Sequence, residues 1–358
     1  MSDGECAHMR VDLDSYVDGE DLRGQRFDEY VVEAQLGAGS SSRVWLAEHH
    51  ETKQRVALKF TRRGRRGGQA DREARLLSLF AHPNIVGVRR VIETASHVVM
   101  VMEASGPQCL LHHVLAADFV DESTARGLFR QLLSAVAYMH ANCVVPRALS
   151  LDKVMVNPGN GHVQLTSLRH AVPVMPGARL ESSCAAPEYA APETLVADAS
   201  YDGRAADVWA LGVSLYIMVC GQAPFSGHTG YEVRRSVLAG PPSLPAYLTD
   251  EAQDLLRGML ARAPNERISV AGILDHAWLA LDGAPPVELH VRTRPDTVRE
   301  PHVPTVELLR SRYGFDAGAT LKALGDAGCV ATPAVCAYHL LEDQRLESSA
   351  EEAPLIDL

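Results

Sequence analysis

From Tyr30 onward, apolar and polar positions alternate in short runs, Tyr30 to Leu36, Arg43 to His49 and Arg55 to Phe60, separated by glycine-rich or charged turns. This pattern predicts strands, and the brief turns predict an antiparallel meander. Gln69 to Phe80 changes to helical spacing, with Leu76, Leu77 and Phe80 on one side, and strand-like runs return at Val86 to Glu93 and His97 to Met102. After Gly106 the spacing is helical: Asp121 to His140 sets Leu128, Phe129, Leu132, Leu133 and Val136 on one broad face behind an Asp/Glu/Ser/Thr start. A strand-like island spans Val154 to Thr166. Helical signals resume at Asp207 and run to about Leu279, broken at Pro224, Pro241, Pro242, Pro245 and Pro264. A β-rich segment therefore precedes an α-rich one.

The flanks read differently. Residues 1–26, with Asp12, Asp14, Asp18, Glu20 and Asp21 among few apolar side chains, are expected to form a flexible acidic leader. Residues 281–303 hold Pro285, Pro286, Pro295 and Pro301 and read as a linker. Residues 304–345 fit about three small helices broken at Gly314 and Pro333, and 346–358 form an acidic tail. No internal repeat is present.

Composition narrows the classes. With 358 residues, 46% hydrophobic and 22% charged, the chain is long enough for one large core with an appendage, and its composition is that of globular protein. The stretch Trp209 to Cys220 is interrupted by Gly212 and Ser214 and falls short of the roughly 20 residues that cross a bilayer, so no membrane span is predicted. The start lacks a basic, apolar signal sequence, and Ser2 stands where myristoylation needs glycine; the expected location is cytoplasmic, with the nucleus left open. Seven cysteines without a Cys-x-x-Cys pair signal neither zinc nor a disulfide framework, and no metal site is predicted. A net charge of −11 argues against a dedicated nucleic-acid binder, and the basic run Arg62, Arg63, Arg65, Arg66 reads as a solvated loop.

The candidate chemistry begins with Gly37-Ala38-Gly39 between two predicted strands, followed by Val44; such a turn lets backbone amides approach a phosphate, although most glycine-rich hairpins are only turns. It gains weight from Val56-Ala57-Leu58-Lys59 on the next strand, Glu73 on the first helix, and His82-Pro83-Asn84-Ile85-Val86. In this order the chain resembles the eukaryotic protein-kinase family from about Phe27 to Leu279. Further matches are Met100-Val101-Met102-Glu103, Ala191-Pro192-Glu193, Asp207-Val208-Trp209-Ala210-Leu211-Gly212, Gly221 with Pro224-Phe225, and Arg267. The resemblance implies a bilobal α+β fold with a β-rich small lobe (27–104) and an α-rich large lobe (105–280). It implies that Lys59 contacts nucleotide phosphates and pairs with Glu73, that Glu193 pairs with Arg267, and that Asp207 braces the catalytic loop. Gly37, Gly39, Val44, Ala57, Met102, Glu103, Ala104 and Met155 match family positions around the nucleotide, with Glu103 and Ala104 offering backbone groups to the adenine edge. Ser42 replaces the third glycine of the loop.

The catalytic positions depart from the family. Where it has His-Arg-Asp followed by Leu-Lys-x-x-Asn, this chain reads Pro146-Arg147-Ala148-Leu149-Ser150-Leu151-Asp152-Lys153. Ala148 has no lone pair to accept a hydroxyl proton. Lys153 stands at one metal-ligand position and Ser167, in Ser167-Leu168-Arg169, at the other, so Mg²⁺ is expected to bind weakly or not at all. Ala185-Ala186 replaces the Gly-Thr that precedes Pro187. Substitutions clustered at one site with the scaffold kept resemble a pseudokinase. Lys59, Lys153 and Arg169 are candidates for neutralising ATP phosphates without metal, and the Leu168-Arg169 pair is similar to that of STRAD-type pseudokinases. Ser182 and Ser183, near Arg147, are candidate phosphorylation sites.

The stretch Asp207 to Phe225 is similar to the calcium/calmodulin-dependent group and its AMP-activated-kinase relatives. Val306-Glu307-Leu308-Leu309, Tyr313-Gly314-Phe315-Asp316, Leu321-Lys322-Ala323-Leu324 and Ala337-Tyr338-His339-Leu340-Leu341 resemble the ubiquitin-associated-type domain of those relatives, which implies a regulatory element more than a ubiquitin receptor. The expected function is an allosteric or scaffolding regulator of a partner kinase or signalling complex, with ATP as candidate cofactor. The alternatives are a weakly active Ser/Thr kinase and, less favoured, a ubiquitin-binding adaptor.

Overall fold

The computed structural model describes residues 21–39, 41–64, 68–94, 96–174, 177–181, 184–196, 200–283, 287, 300–325, 334–335, 337–339, 341–342 and 345. The chain divides into two compact units. The first contains β1 (Arg26–Phe27), β2 (Tyr30–Ala38), β3 (Ser42–His49), β4 (Arg55–Arg62), α1 (Gln69–Leu79), β5 (Val88–Glu93) and β6 (His97–Glu103). The strands form one antiparallel sheet in the order β1-β2-β3-β4-β6-β5. Alternation along β4 divides the work of its two faces. Val56, Leu58 and Phe60 join Phe27, Trp45, Val99 and Val101 in one core, and Ala57 and Lys59 point to the opposite face.

Two expectations are corrected here. The acidic leader does not extend to residue 26: Leu22 is fully buried in that core and Arg26 begins β1, because an apolar side chain at 22 and a strand edge at 26 both find partners. Residues 1–20 lie outside the described residues. Arg63 is not a solvated loop cation, since its guanidinium pairs with Asp71 at 2.8 Å and Glu93 at 2.7 Å.

The second unit contains β7 (Gln108–Cys109), α2 (Leu110–Ala116), α3 (Glu122–Ala141), β8 (Val144–Val145), β9 (Val154–Asn157), β10 (His162–Leu165), β11 (Val172–Pro173), α4 (Gly203–Cys220), α5 (Gly230–Ala239), α6 (Asp250–Met259), α7 (Val270–Leu274) and α8 (Ala277–Ala280). Its strands make two small sheets, β10-β9-β7 and β11-β8. Helix α3 starts where Asp121 accepts from the Thr124 amide at 3.0 Å. Helix α4 ends at Gly221, with φ of 69°, where a side chain would also collide with the Asp118 carbonyl. By length and mean hydropathy, 1.3, α4 would cross a bilayer; 78% of it is buried inside the unit, as befits a core helix. The proline breaks fall between α4 and α5, α5 and α6, and α6 and α7, as the sequence predicts.

The string His82-Pro83-Asn84, expected in the small lobe, belongs to this unit. The Asn84 amide donates to Gln131 Oε1 at 3.0 Å and to the Val163 carbonyl at 2.8 Å, which fixes the string to α3 and β10. Helix α9 spans Val303–Tyr313, and most of the expected linker, 284–286 and 288–299, lies outside the described residues. Helix α9 closes on Gly314 and is followed by α10 (Ala317–Gly325) and by helical positions within 334–342. Val306, Leu309, Ala323, Leu324, Val335 and Tyr338 share a small core. The break at Pro333 lies outside the described residues.

Candidate functional site

In the first unit, the β4 register places Lys59 on the sheet face that α1 covers, and its ammonium donates to Glu73 Oε1 at 2.7 Å. The two side chains are 7% and 0% exposed, so each charge relies on the other in a medium that screens weakly. The glycine-rich turn is a tight hairpin: the Gly39 amide donates to the Ser42 carbonyl at 2.8 Å, and Gly37 pairs with Val44. A Cβ at Gly37 would meet nothing within 4 Å, so glycine there leaves open backbone rather than relieving strain. Arg43, which the sequence reading did not single out, reaches back to the Gly39 carbonyl at 2.5 Å and stiffens the turn.

Ala57 pairs with Met102, both buried, and Val44 pairs with Lys59. Glu103 and Ala104 are exposed. The Glu103 amide donates to the Gly87 carbonyl at 2.9 Å, so one of the backbone groups expected to meet an adenine edge is already bonded within the sheet.

In the second unit, the catalytic-type loop between β8 and β9 is held from behind. Asp207 on α4 is buried; one oxygen accepts from the Arg147 amide at 3.0 Å and the other meets His140 Nε2 at 2.8 Å. Arg147 has φ of 63°, and its Nε donates to the His170 carbonyl at 2.8 Å. Burial pushes the Asp207 carboxyl up, opposed by the His140 hydrogen bond and charge. His140 was not anticipated from sequence; its signal was a lone histidine near the end of a helix otherwise apolar on that side.

At the front of the loop, the Lys153 ammonium donates to the Ala148 carbonyl at 2.7 Å. The Lys153 carbonyl receives the Thr166 amide at 3.0 Å, which brings the start of Ser167-Leu168-Arg169 beside the loop. Leu168 is buried at 2% exposure, whereas Arg169 is half-buried and makes no ion pair among the described residues. Asp152 is exposed. An ammonium (Lys153) and a neutral hydroxyl (Ser167) thus stand at the positions where a hard divalent cation needs carboxylate and carbonyl oxygen, and this donor set does not fit Mg²⁺. No cluster of three or more His, Cys, Asp or Glu that could hold a metal exists among the described residues. Met155 lies on β9, paired with Gln164.

The segment after this loop is anchored at its far end. Glu193 takes both guanidinium nitrogens of Arg267, at 2.7 and 3.0 Å, and Arg267 lies 5.2 Å from the Trp209 ring centroid. Tyr189 Oη accepts from the Leu151 amide at 3.3 Å, and burial pushes its phenol up to about 12. Ser182 and Ser183 lie outside the described residues.

Residues 30–279 match the family described as Protein kinase domain. The chain is 36% identical over 252 residues to sperm motility kinase 2B of Mus musculus, covering 70% of this chain and 52% of that protein. It is 34% identical over 257 residues to serine/threonine-protein kinase SIK1 of Rattus norvegicus, covering 71% and 33% respectively. It is also 32% identical over 256 residues to the probable serine/threonine-protein kinase MARK-A of Dictyostelium discoideum, covering 70% and 24%. The chain therefore spans about half or less of the length of these relatives.

Proposed function

The chain belongs to the protein kinase family, with the bilobal α+β fold of that family and AMP-activated-kinase-related Ser/Thr kinases among its relatives, and from that premise we propose that it acts by binding rather than by phosphotransfer. In this reading it is a pseudokinase, an allosteric or scaffolding regulator of a partner kinase or signalling complex. The observation that carries the reading is the Lys153 ammonium bonded to the carbonyl of Ala148: the metal-ligand position holds a cation and the base position holds a methyl group. Neither an in-line proton acceptor nor a metal clamp is assembled from these residues, and phosphoryl transfer in this family depends on both.

ATP binding is a separate matter. Lys59, kept in place by Glu73, and the uncrowded backbone at Gly37 are suited to phosphate oxygens. Lys153 and Arg169, in the second unit, are the other cationic candidates of this reading. Helices α9 and α10, with the helical positions after them, supply the regulatory ubiquitin-associated-like element in this reading.

The test is thermal unfolding with millimolar ATP, in EDTA and in Mg²⁺, beside a phosphate-transfer assay. The expected result is a raised midpoint in EDTA, no further rise with Mg²⁺, and transfer no higher than in Lys59→Ala; ligand at 100 times its Kd would add about 2.7 kcal/mol. Mg²⁺-dependent transfer that Lys59→Ala abolishes overturns the proposal. It would establish the second reading, a slow Ser/Thr kinase, which the formed Lys59–Glu73 pair favours.

A further inference from the structure

A cavity of about 390 Å³ opens within the second unit, walled by the end of α3, the start of α4 and residues 264–271. It lies behind the catalytic-type loop rather than among the candidate nucleotide residues. Its apolar lining includes Ala141, Val208, Pro264 and Ile268, and its volume is that of a small-molecule site.

Three basic side chains line it. Arg267 is neutralised by Glu193. Arg204 is half-buried, makes no ion pair among the described residues, and lies against the Cys143 thiol. His140 is only 7% exposed; its Nε2 faces Asp207, while Nδ1 has no hydrogen-bond partner among the described residues and is not sealed from solvent. The acidic group on the wall, Asp202, is exposed and accepts from the Arg204 amide at 2.9 Å as the α4 cap. A half-buried guanidinium without a counter-ion, beside a buried imidazole with one open nitrogen, is an arrangement that an anion completes.

We propose that this cavity binds a small organic anion, an aryl or branched aliphatic carboxylate, between Arg204 and His140, and that binding stiffens the catalytic-type loop. The ligand carboxylate takes its contact at His140 Nδ1, while Nε2 keeps its contact with Asp207. Asp207 in turn holds the Arg147 amide at 3.0 Å, so the chain of contacts from ligand to loop is His140, Asp207, Arg147. The site works on the loop whether or not the loop carries out chemistry.

Benzoate is the probe, with benzamide as its neutral isostere, and the full chain is used throughout. Benzoate at millimolar concentration is expected to raise the unfolding midpoint and to slow amide hydrogen exchange at residues 147–149, while benzamide does neither. Arg204→Gln weakens benzoate by about tenfold, the loss of one charge-assisted hydrogen bond. Ala271→Phe, at an exposed position of the wall, obstructs the cavity without disturbing the core and removes the effect. Equal binding of benzamide, benzoate binding unchanged in Arg204→Gln, or no binding by the wild-type chain overturns the site. Binding without slower exchange at 147–149 overturns the coupling.

Discussion

The Lys153 ammonium donates to the carbonyl of Ala148, 2.7 Å away, and so ties together two positions at which the chain departs from the kinase motif. The two substitutions are structurally one unit. Restoring a single member leaves the other in its way: an aspartate at 148 would meet the Lys153 ammonium and form an ion pair instead of awaiting a hydroxyl proton.

This gives the first prediction. Ala148→Asp alone stays at the wild-type level of phosphate transfer. Ala148→Asp with Lys153→Asn and Ser167→Asp gains Mg²⁺-dependent stabilisation by ATP and transfer at least ~10²-fold above the single variant, the lower end of what a positioned base contributes. Radiolabelled phosphate transfer to a generic protein acceptor measures it, and full activity in the single variant would contradict the coupling of the two positions.

A second prediction concerns the buried pair in the first unit. Lys59→Met removes the cation facing Glu73, whose side chain is 0% exposed, and is expected to cost about 3–5 kcal/mol, as for other buried pairs broken on one side. Lys59→Met combined with Glu73→Leu costs less than Lys59→Met alone, because no buried charge then lacks its counter-ion. Urea unfolding of both variants decides it; a double variant less stable than the single one would mean that the pair is net stabilising beyond mutual compensation.

Much of this was legible in the sequence because the signals were local. Alternation in Arg55 to Phe60 set the faces of β4 and with them the direction of Lys59, and the prolines after Cys220 marked the helix breaks. What escaped reading depended on distant partners. Leu22 looks like one apolar residue in an acidic leader until the core around Trp45 and Phe60 exists to receive it. Asn84 follows the first helix in sequence but bonds to Gln131 and Val163, so no local pattern could assign it to the second unit. The short helix α2, only Leu110–Ala116, is below the length at which periodicity distinguishes a helix from a loop.

A third prediction tests the brace behind the loop. Asp207→Ala leaves the Arg147 amide and His140 without their shared acceptor and is expected to destabilise the chain by about 2–4 kcal/mol. Asp207→Asn keeps one oxygen for the Arg147 amide and costs less. Chemical denaturation ranks the two, and amide exchange at Arg147 and Ala148 should accelerate in the alanine variant well beyond the asparagine one. Equal effects in both would show that the charge on Asp207, rather than its acceptor geometry, holds the loop.

The last prediction concerns acid stability. Glu122, in the first turn of α3, bridges distant parts of the second unit: it accepts from the Thr249 amide at 2.8 Å, the Thr249 hydroxyl at 2.7 Å and the Trp278 indole at 2.9 Å. Burial pushes its carboxyl up, but the Thr249 amide, the Trp278 indole and the Thr249 hydroxyl together hold it below the ordinary range. A carboxyl depressed in the folded state contributes stability that is fully present above its unfolded value, about 4.3, and is lost as pH falls through the folded value. Glu122→Gln keeps an acceptor but no charge, so the wild type should exceed it by about 1 kcal/mol near neutral pH, a figure held down by the partial exposure of Glu122. That excess should shrink steadily once the pH passes below about 4, while other carboxyls destabilise both proteins alike. Urea unfolding of the two proteins across this range measures the difference directly. A gap that stayed constant with pH would mean that geometry at Thr249 and Trp278, and not the charge of Glu122, joins these elements.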